Sequence, residues 1–171
     1  MKITDRLKVE HGVFLQQLRV VADLAAVPAP RPVLAAAVET IAAAEERHSE
    51  IEDRALYPAL VRALGEDFPA LVAVRGEHAG IRDRIQKVRS GSFDESDVVS
   101  FVEALRHHLE HEIHSLFALA EEWLTEEQLT SMCNWNVEHV YDAIGQRALW
   151  AEKWLGPATA AREGKPATPK T

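Results

Sequence analysis

A histidine followed four residues later by a glutamate occurs twice in this chain, each time inside a long stretch of helical apolar periodicity. The first pair is His48 and Glu52. The second pair, His108 and Glu112, follows 60 residues later. Residues four apart lie on adjacent turns of one helix face. Both pairs fall on the apolar side of their helices, so the chain is predicted to fold into a helical core that contains ionisable side chains.

Apolar residues recur at helical spacing along almost the whole chain, and alternating strand-like runs are absent. The pattern predicts four long helices, over residues 4–26, 32–65, 68–89 and 95–124. Three prolines between residues 28 and 32 separate the first two helices, and Pro58 is expected to kink the second. Four amphipathic helices joined by short loops predict an all-α, antiparallel up-down four-helix bundle.

A fifth helix is predicted after the bundle. Residues 1–124 form the predicted bundle, and the segment from Thr125 to Gln128 has the form of a capping box. This segment opens an appended helix predicted over residues 125–155, which is expected to pack on the bundle or on a second subunit in a homodimer. The Pro-, Ala-, Gly- and Lys-rich tail, residues 156–171, is predicted to be disordered.

Composition excludes several classes of function. The chain has 171 residues, a net charge of −8 and one cysteine. An acidic chain argues against nucleic acid as a partner, and one cysteine argues against an internal disulfide or a thiolate metal cluster. No apolar run reaches the roughly 18–20 residues that a membrane span needs. Because the first residues also lack an apolar signal core, a cytoplasmic location is expected.

A second, shorter repeat links the other two bundle helices. The first and third predicted helices each contain a Glu-His dipeptide, Glu10-His11 and Glu77-His78, and the histidine lies on the apolar face in both cases. In an antiparallel bundle, His11 and His78 are predicted to lie at the height of the two His/Glu pairs. Glu10 and Glu77 are expected to face solvent. Four histidines and two glutamates therefore converge on one layer.

This layer predicts a metal site, because buried carboxylates are costly unless a cation or proton compensates them. Two metals are predicted, bridged by Glu52 and Glu112. One is assigned His11 and His48, the other His78 and His108. Nitrogen and oxygen ligands without thiolate suit iron, manganese or zinc.

These residues together resemble the hemerythrin-like (HHE cation-binding) family over about residues 4–124. The resemblance implies a non-haem, carboxylate-bridged di-iron site in a four-helix bundle that meets O2, H2O2 or NO. Oxygen-carrying members have a second histidine where this chain has Arg82, and an arginine cannot ligate a metal. The set here is similar to the more symmetric sites of bacterial members and of iron-sensing domains.

Two further residues are candidates for supporting the ligands. Arg82 lies about 40° from His78 around an ideal helix, where it either holds an anionic group or extends into solvent. Glu45 precedes His48 in a Glu-x-x-His spacing typical of ferritin-like oxidases. That architecture needs the spacing twice, and Leu105 occupies the second position. Glu45 is therefore a candidate partner for a ligand.

Several functions remain open from the sequence. The metal pair suits an oxidoreductase that turns over peroxide, O2 or NO, or an iron or oxygen sensor that binds without turnover. A ferritin-like oxidase and a metal-free helical interaction module are the remaining alternatives. The aromatic residues after each His/Glu pair, Tyr57 and Phe117, are expected to lie roughly opposite His48 and His108 on their own helices and to serve in packing.

Overall fold

The structure, a computed structural model, describes residues 1–133, and all regular secondary structure in that part of the chain is helical. The helices are α1 (Ile3–Ala25), α2 (Arg31–Ile51), α3 (Tyr57–Leu64), α4 (Pro69–Arg89), α5 (Glu95–His114) and α6 (Leu116–Trp123). A π-helical segment, Glu52–Leu56, joins α2 to α3. Helical backbone resumes over residues 126–133. The predicted all-α bundle is confirmed.

The bundle is a ring of four long segments. Helix α1 packs against α2 and α5, and α4 packs against the same two helices. Pro32 occupies the first turn of α2, where backbone N–H groups have no helical partner and proline is tolerated. Helix α5 begins at a capping box in which the Asp94 carboxylate accepts from the Asp97 N–H at 3.1 Å.

The apolar core is divided into two clusters. The first cluster contains Phe14 and Ile81, and the second contains Leu7 and Val74. Along α1, His11 lies between Leu7 and Phe14. Along α4, the predicted ligand lies between Val74 and Ile81 in the same way. The predicted metal layer therefore separates two apolar regions of the core.

The second and fourth long helices are interrupted at equivalent places. The Tyr57 N–H donates to the Glu52 carbonyl, which gives the wide turn of a π-helix immediately before Pro58. Sixty residues after Ala55, Ser115 separates α5 from α6 with φ −114° and ψ −73°. A kink was expected at Pro58, just after the first interruption, whereas the sequence did not predict the interruption at Ser115. Each one rotates the residues that follow relative to an ideal α-helix.

The start of the predicted fifth helix packs on the bundle. Leu129 and Cys133 are 1% and 3% exposed and belong to the second apolar cluster. The rest of the appended helix and the tail, residues 134–171, lie outside the described residues, so these predictions stay predictions. Within residues 1–133, no helix has the length and apolarity needed to cross a membrane.

Replacing Gly65 with alanine is expected to lower the free energy of unfolding by about 1–3 kcal/mol. Gly65 ends α3 with φ +94° and ψ 155°, a conformation that a Cβ atom disfavours. The matched control is Gly12→Ala in α1, where an added Cβ meets no atom within 4 Å. That change is expected to raise stability by up to about 1 kcal/mol. Urea unfolding measures both, and equal effects would contradict the argument.

Candidate metal centre

The six side chains predicted as ligands meet in one buried layer. Helices α1 and α4 each supply one histidine, whereas α2 with the π-segment and α5 each supply a histidine and a glutamate. Each residue is at most 2% exposed: His11, His48, Glu52, His78, His108 and Glu112. The helical phase predicted from the sequence therefore places all of them in the core.

The six side chains form two overlapping groups, and within each group the ligand atoms lie within 4.8 Å of one another. Both groups contain Glu52 and Glu112. One adds His11 and His48, whose ring centroids are 4.7 Å apart. The other adds His78 and His108, whose centroids are 4.6 Å apart. This pairing is the one predicted from the repeats.

Glu52 is shared between the groups through its two oxygens. Its Oε1 lies 3.3 Å from His48 Nε2, and its Oε2 lies 3.4 Å from His78 Nε2. Glu112 is shared likewise, with Oε2 3.4 Å from His11 Nε2 and Oε1 3.7 Å from His78 Nε2. Metal–ligand bonds of about 2.0–2.2 Å place neighbouring ligand atoms roughly 3–3.5 Å apart. The nitrogen and oxygen atoms of these side chains therefore have the spacing that binding of a cation requires.

Three of the four imidazoles are anchored through Nδ1, which leaves Nε2 directed into the layer. His11 Nδ1 donates to the Leu109 carbonyl at 3.1 Å. His48 Nδ1 donates to Glu10 at 2.8 Å. His108 Nδ1 donates to Glu77 at 2.9 Å. Such partners fix the ring orientation and the nitrogen available to a metal.

The expectation that Glu10 and Glu77 face solvent is wrong. Their side chains are only 27% and 22% exposed, and each accepts a hydrogen bond from a predicted ligand on a neighbouring helix. Glu10-His11 and Glu77-His78 thus each contribute one predicted ligand and one carboxylate that orients another. The repeated dipeptide was the available signal. The role of its glutamate could not be predicted from a single helical wheel, because the histidine that the glutamate contacts lies on an adjacent helix.

Tyr57 and Phe117 both pack in the second apolar cluster. The Tyr57 ring lies 6.0 Å from the His78 ring, and the Phe117 ring lies 5.1 Å from the His11 ring. The interruptions after each His/Glu pair turn both aromatic rings towards ligands on the other helices. Phe117 is fully buried, whereas Tyr57 is 5% exposed.

The two candidate supporting residues occupy different places. Glu45 is 2% exposed and accepts a hydrogen bond from the Ser49 hydroxyl at 2.7 Å. Its other oxygen has no hydrogen-bond partner among the described residues. Arg82 is exposed and lines a cleft that also contacts His78. His107, next to the predicted ligand His108 in sequence, is 75% exposed.

Without metal, the surroundings shift the pKa values of the ionisable side chains in the layer in different directions. Burial raises the pKa of Glu112 well above its usual value, and the nearby Glu52 carboxylate adds to the increase. Burial also opposes ionisation of Glu52, but neighbouring imidazoles, His48 first, hold its pKa below the usual range. Burial opposes charge on His48, yet the Glu52 carboxylate helps to raise its pKa to about 9. Burial and the charge of His48 lower the pKa of His11 to about 3.

Many polar atoms in the layer lack partners. Of the eleven buried side-chain nitrogen and oxygen atoms without a hydrogen bond among residues 1–133, seven belong to predicted ligands. They are both oxygens of Glu52 and of Glu112, both ring nitrogens of His78, and Nε2 of His108. Buried polar groups are normally satisfied. Cations would satisfy the atoms that face the layer, so the residues present fit a bound metal.

The comparison with known proteins agrees with this geometry. The model of the hemerythrin HHE cation-binding domain matches residues 2–120. The chain belongs to this family, and its buried His/Glu layer is suited to binding metal. No curated protein and no solved structure gives a match beside this family match.

Removing either orienting carboxylate is expected to weaken metal binding by about tenfold or more. Glu77→Ala removes the partner of His108, and Glu10→Ala removes the partner of His48. Each change is expected to weaken the binding of one of the two predicted ions. The control is Glu103→Ala, an exposed change on α5. Competition with a chelator measures the affinities, and equal affinities in all three variants would contradict the assignment.

Proposed function

We propose that this chain binds a pair of iron ions in the His/Glu layer and uses them to bind or react with a small oxidant: O2, H2O2 or NO. The observation that carries the proposal is the sharing of Glu52 and Glu112 by both ligand groups. Two carboxylates placed between two sets of imidazoles favour a bridged pair of ions over one isolated ion. The metal ligands proposed are His11, His48, Glu52, His78, His108 and Glu112.

Iron is proposed because the ligands are imidazole and carboxylate without thiolate, although manganese and zinc accept the same donors. A redox-active pair supplies Lewis acidity and electrons to a small oxidant. The chain itself supplies the environment. Glu10 and Glu77 orient imidazoles, and the two apolar clusters exclude bulk water from the layer. A buried layer of this kind selects ligands of a few atoms.

Iron or oxygen sensing without turnover is the second candidate. Residues 126–133 pack through Leu129 on the same apolar cluster that contains Leu56 and Tyr57. Leu56 ends the π-segment that carries Glu52, and Tyr57 begins α3 directly after it. A structural change at the ligands would therefore reach the start of the predicted fifth helix through side chains of this one apolar cluster. A homodimer through that helix and a cytoplasmic location stay predictions from the sequence.

The test is metal content, optical spectrum and reactivity of protein purified without a histidine tag and loaded anaerobically with Fe(II). About two irons per chain are expected, one for each ligand group, with near-ultraviolet absorption of a bridged ferric pair after exposure to air. Rapid consumption of peroxide or NO supports an oxidoreductase, whereas binding without turnover supports a sensor. Preference for manganese or zinc overturns the choice of iron. The absence of stoichiometric metal overturns the proposal and favours a metal-free interaction module.

A further inference from the structure

Two histidines of α5 that are not predicted ligands, His107 and His111, lie on the outside of the bundle beside the metal layer. Their side chains are 75% and 31% exposed. They are four residues apart, so they lie on adjacent turns of one helix face. Their rings are stacked, with centroids 6.0 Å apart and an angle of 19° between the ring planes. This outer histidine pair has the spacing at which two histidines of one helix bind the same zinc ion.

Glu77 on α4 adds an oxygen to the outer histidine pair. Its Oε1 lies 2.8 Å from His111 Nδ1 and 3.9 Å from His107 Nε2. Its Oε2 accepts the hydrogen bond from His108 Nδ1. One carboxylate therefore contacts a predicted ligand of the buried layer on one side and the outer histidine pair on the other.

The spacing of these atoms is close to that of three ligands of one ion. Neighbouring ligand atoms around zinc lie roughly 3–3.5 Å apart. An ion at this place replaces the proton between His111 and Glu77, and the neutral imidazole of His111 then carries its proton on Nε2. His107 is mostly exposed, so its ring turns towards the ion without displacing atoms of the core. Two imidazoles and one carboxylate leave the fourth position of a tetrahedral ion to water.

The outer histidine pair has no counterpart in the first half of the repeat. A shift of 60 residues matches His107 with Arg47 and His111 with Ile51. The same shift matches the His/Glu pairs of the layer with each other. The buried layer therefore requires neither outer histidine, because the first half provides its ligands without them.

The two orienting carboxylates differ in the partner of their second oxygen. Glu10 accepts from His48 at Oε2 and from Arg6 Nε at Oε1, both at 2.8 Å. At Glu77 the partner of Oε1 is His111. Either partner satisfies the carboxylate, but a guanidinium has no lone pair for a metal, whereas a neutral imidazole has one. The second half thus has metal-binding nitrogens where the first half has a group that cannot bind metal.

We propose that His107, His111 and Glu77 form a peripheral binding site, the outer site, for one divalent ion of a late first-row transition metal. Imidazole nitrogens with one carboxylate oxygen suit zinc, copper or nickel. Because both histidines are exposed to solvent, the ion exchanges without opening the core. The inference goes beyond the proposed function, since the outer site requires no iron in the buried layer.

Calorimetric titration with Zn²⁺ tests the outer site. The chain is loaded with iron and freed of loosely held metal by desalting, and its iron content is measured before and after the titration. A single Zn²⁺ per chain is expected to bind without loss of iron. If the layer takes up no iron, the proposed function fails, and the titration is made in Glu112→Gln, which lacks a shared ligand of the layer. One Zn²⁺ is expected to bind there too, and its absence from both samples overturns the inference.

The histidines are tested one at a time. His107→Gln and His111→Gln are each expected to weaken Zn²⁺ binding by about tenfold or more, the loss that even an indirect supporting residue causes. Glutamine at position 111 still has an amide that donates to Glu77, so a purely structural role for His111 predicts no loss. The matched control is His114→Gln, an exposed change on the same helix, with an expected loss below twofold. Unchanged binding in the first two variants overturns the site, and equal losses in all three identify an adventitious ion only.

The two orienting carboxylates test the third ligand. Glu77→Ala is expected to weaken Zn²⁺ binding by about tenfold or more. Glu10→Ala removes the equivalent carboxylate, whose second oxygen contacts Arg6, and is expected to change Zn²⁺ binding by less than twofold. Both variants are made in Glu112→Gln, so that loss of metal from the layer does not contribute. Equal affinities in the two variants overturn the assignment of Glu77.

Nuclear magnetic resonance of the histidine ring nitrogens locates the ion. In metal-free Glu112→Gln, Zn²⁺ is expected to shift the signals of His107 Nε2 and His111 Nδ1 and to leave those of His114 in place. Shifts at His114 instead of His107 place the ion on a different pair of histidines and overturn the outer site. Shifts confined to the buried ligands mean that the layer holds the ion, which overturns it as well.

Discussion

Replacing Glu112 with glutamine is expected to reduce bound metal from about two ions per chain to a small fraction of one, with little change in the metal-free fold. Both ligand groups contain Glu112, so the change affects both ions. Burial and the nearby Glu52 carboxylate raise the pKa of Glu112, which favours the neutral form of the metal-free side chain. An amide has nearly the same shape as that protonated carboxyl. Glutamine therefore matches the metal-free state and removes the charge that would hold the cations.

The measurements are metal content after anaerobic loading and thermal unfolding without metal. The melting temperature of metal-free Glu112→Gln is expected to differ from that of the unmodified chain by less than about 3 °C, which corresponds to about 1 kcal/mol. Glu103→Gln, an exposed change on the same helix, is expected to keep full metal content. Normal iron content in Glu112→Gln would falsify the bridging assignment.

The six candidate ligands could be predicted because their positions depend mainly on local helical phase. His108 and Glu112 share a face one turn apart, and neighbouring apolar residues such as Leu105 identify that face as buried. The repeat then supplied the register between helices. The bundle followed from the same apolar periodicity, with Gly65 ending a helix where expected.

Features that depend on backbone irregularity or on a neighbouring helix could not be predicted in this way. A wheel of 100° per residue fails after the π-segment, so the sequence did not predict that the Tyr57 ring lies 6.0 Å from the His78 ring. Glu77 looked like a surface charge on α4, since its hydrogen bond to His108 crosses to α5. The cleft beside His78 is lined by residues from two separate stretches of the chain, so no single sequence motif predicts it.

The repeat also explains why one scaffold offers two different halves. Equivalent positions hold Phe117 and Tyr57, and both rings approach a ligand histidine. Phe117 is fully buried in one half, whereas Tyr57 lines a cleft of about 690 Å³ in the other. The ligand layer is nearly symmetric, so the two halves differ in their surroundings rather than in their candidate ligands.

Removing the metal is expected to lower the melting temperature by about 5–10 °C without unfolding the bundle at room temperature. Seven buried polar atoms of the ligands lack hydrogen bonds, and they are costly until cations bind. Free metal at about 100 times its dissociation constant stabilises the folded state by about 2.7 kcal/mol, which corresponds to that shift for a chain of this size. The two apolar clusters lie on either side of the layer and are present without metal.

Thermal unfolding of the iron-loaded protein, before and after anaerobic chelation, measures this shift, and Glu112→Gln provides the control. That variant is expected to melt at one temperature with or without iron, since it lacks a ligand of both ions. A shift of equal size in the variant would mean that iron acts elsewhere on the chain. No shift in the unmodified chain would mean that protons alone satisfy the layer. The seven atoms without hydrogen bonds argue against that outcome, because a proton shared between two groups cannot supply partners to all of them.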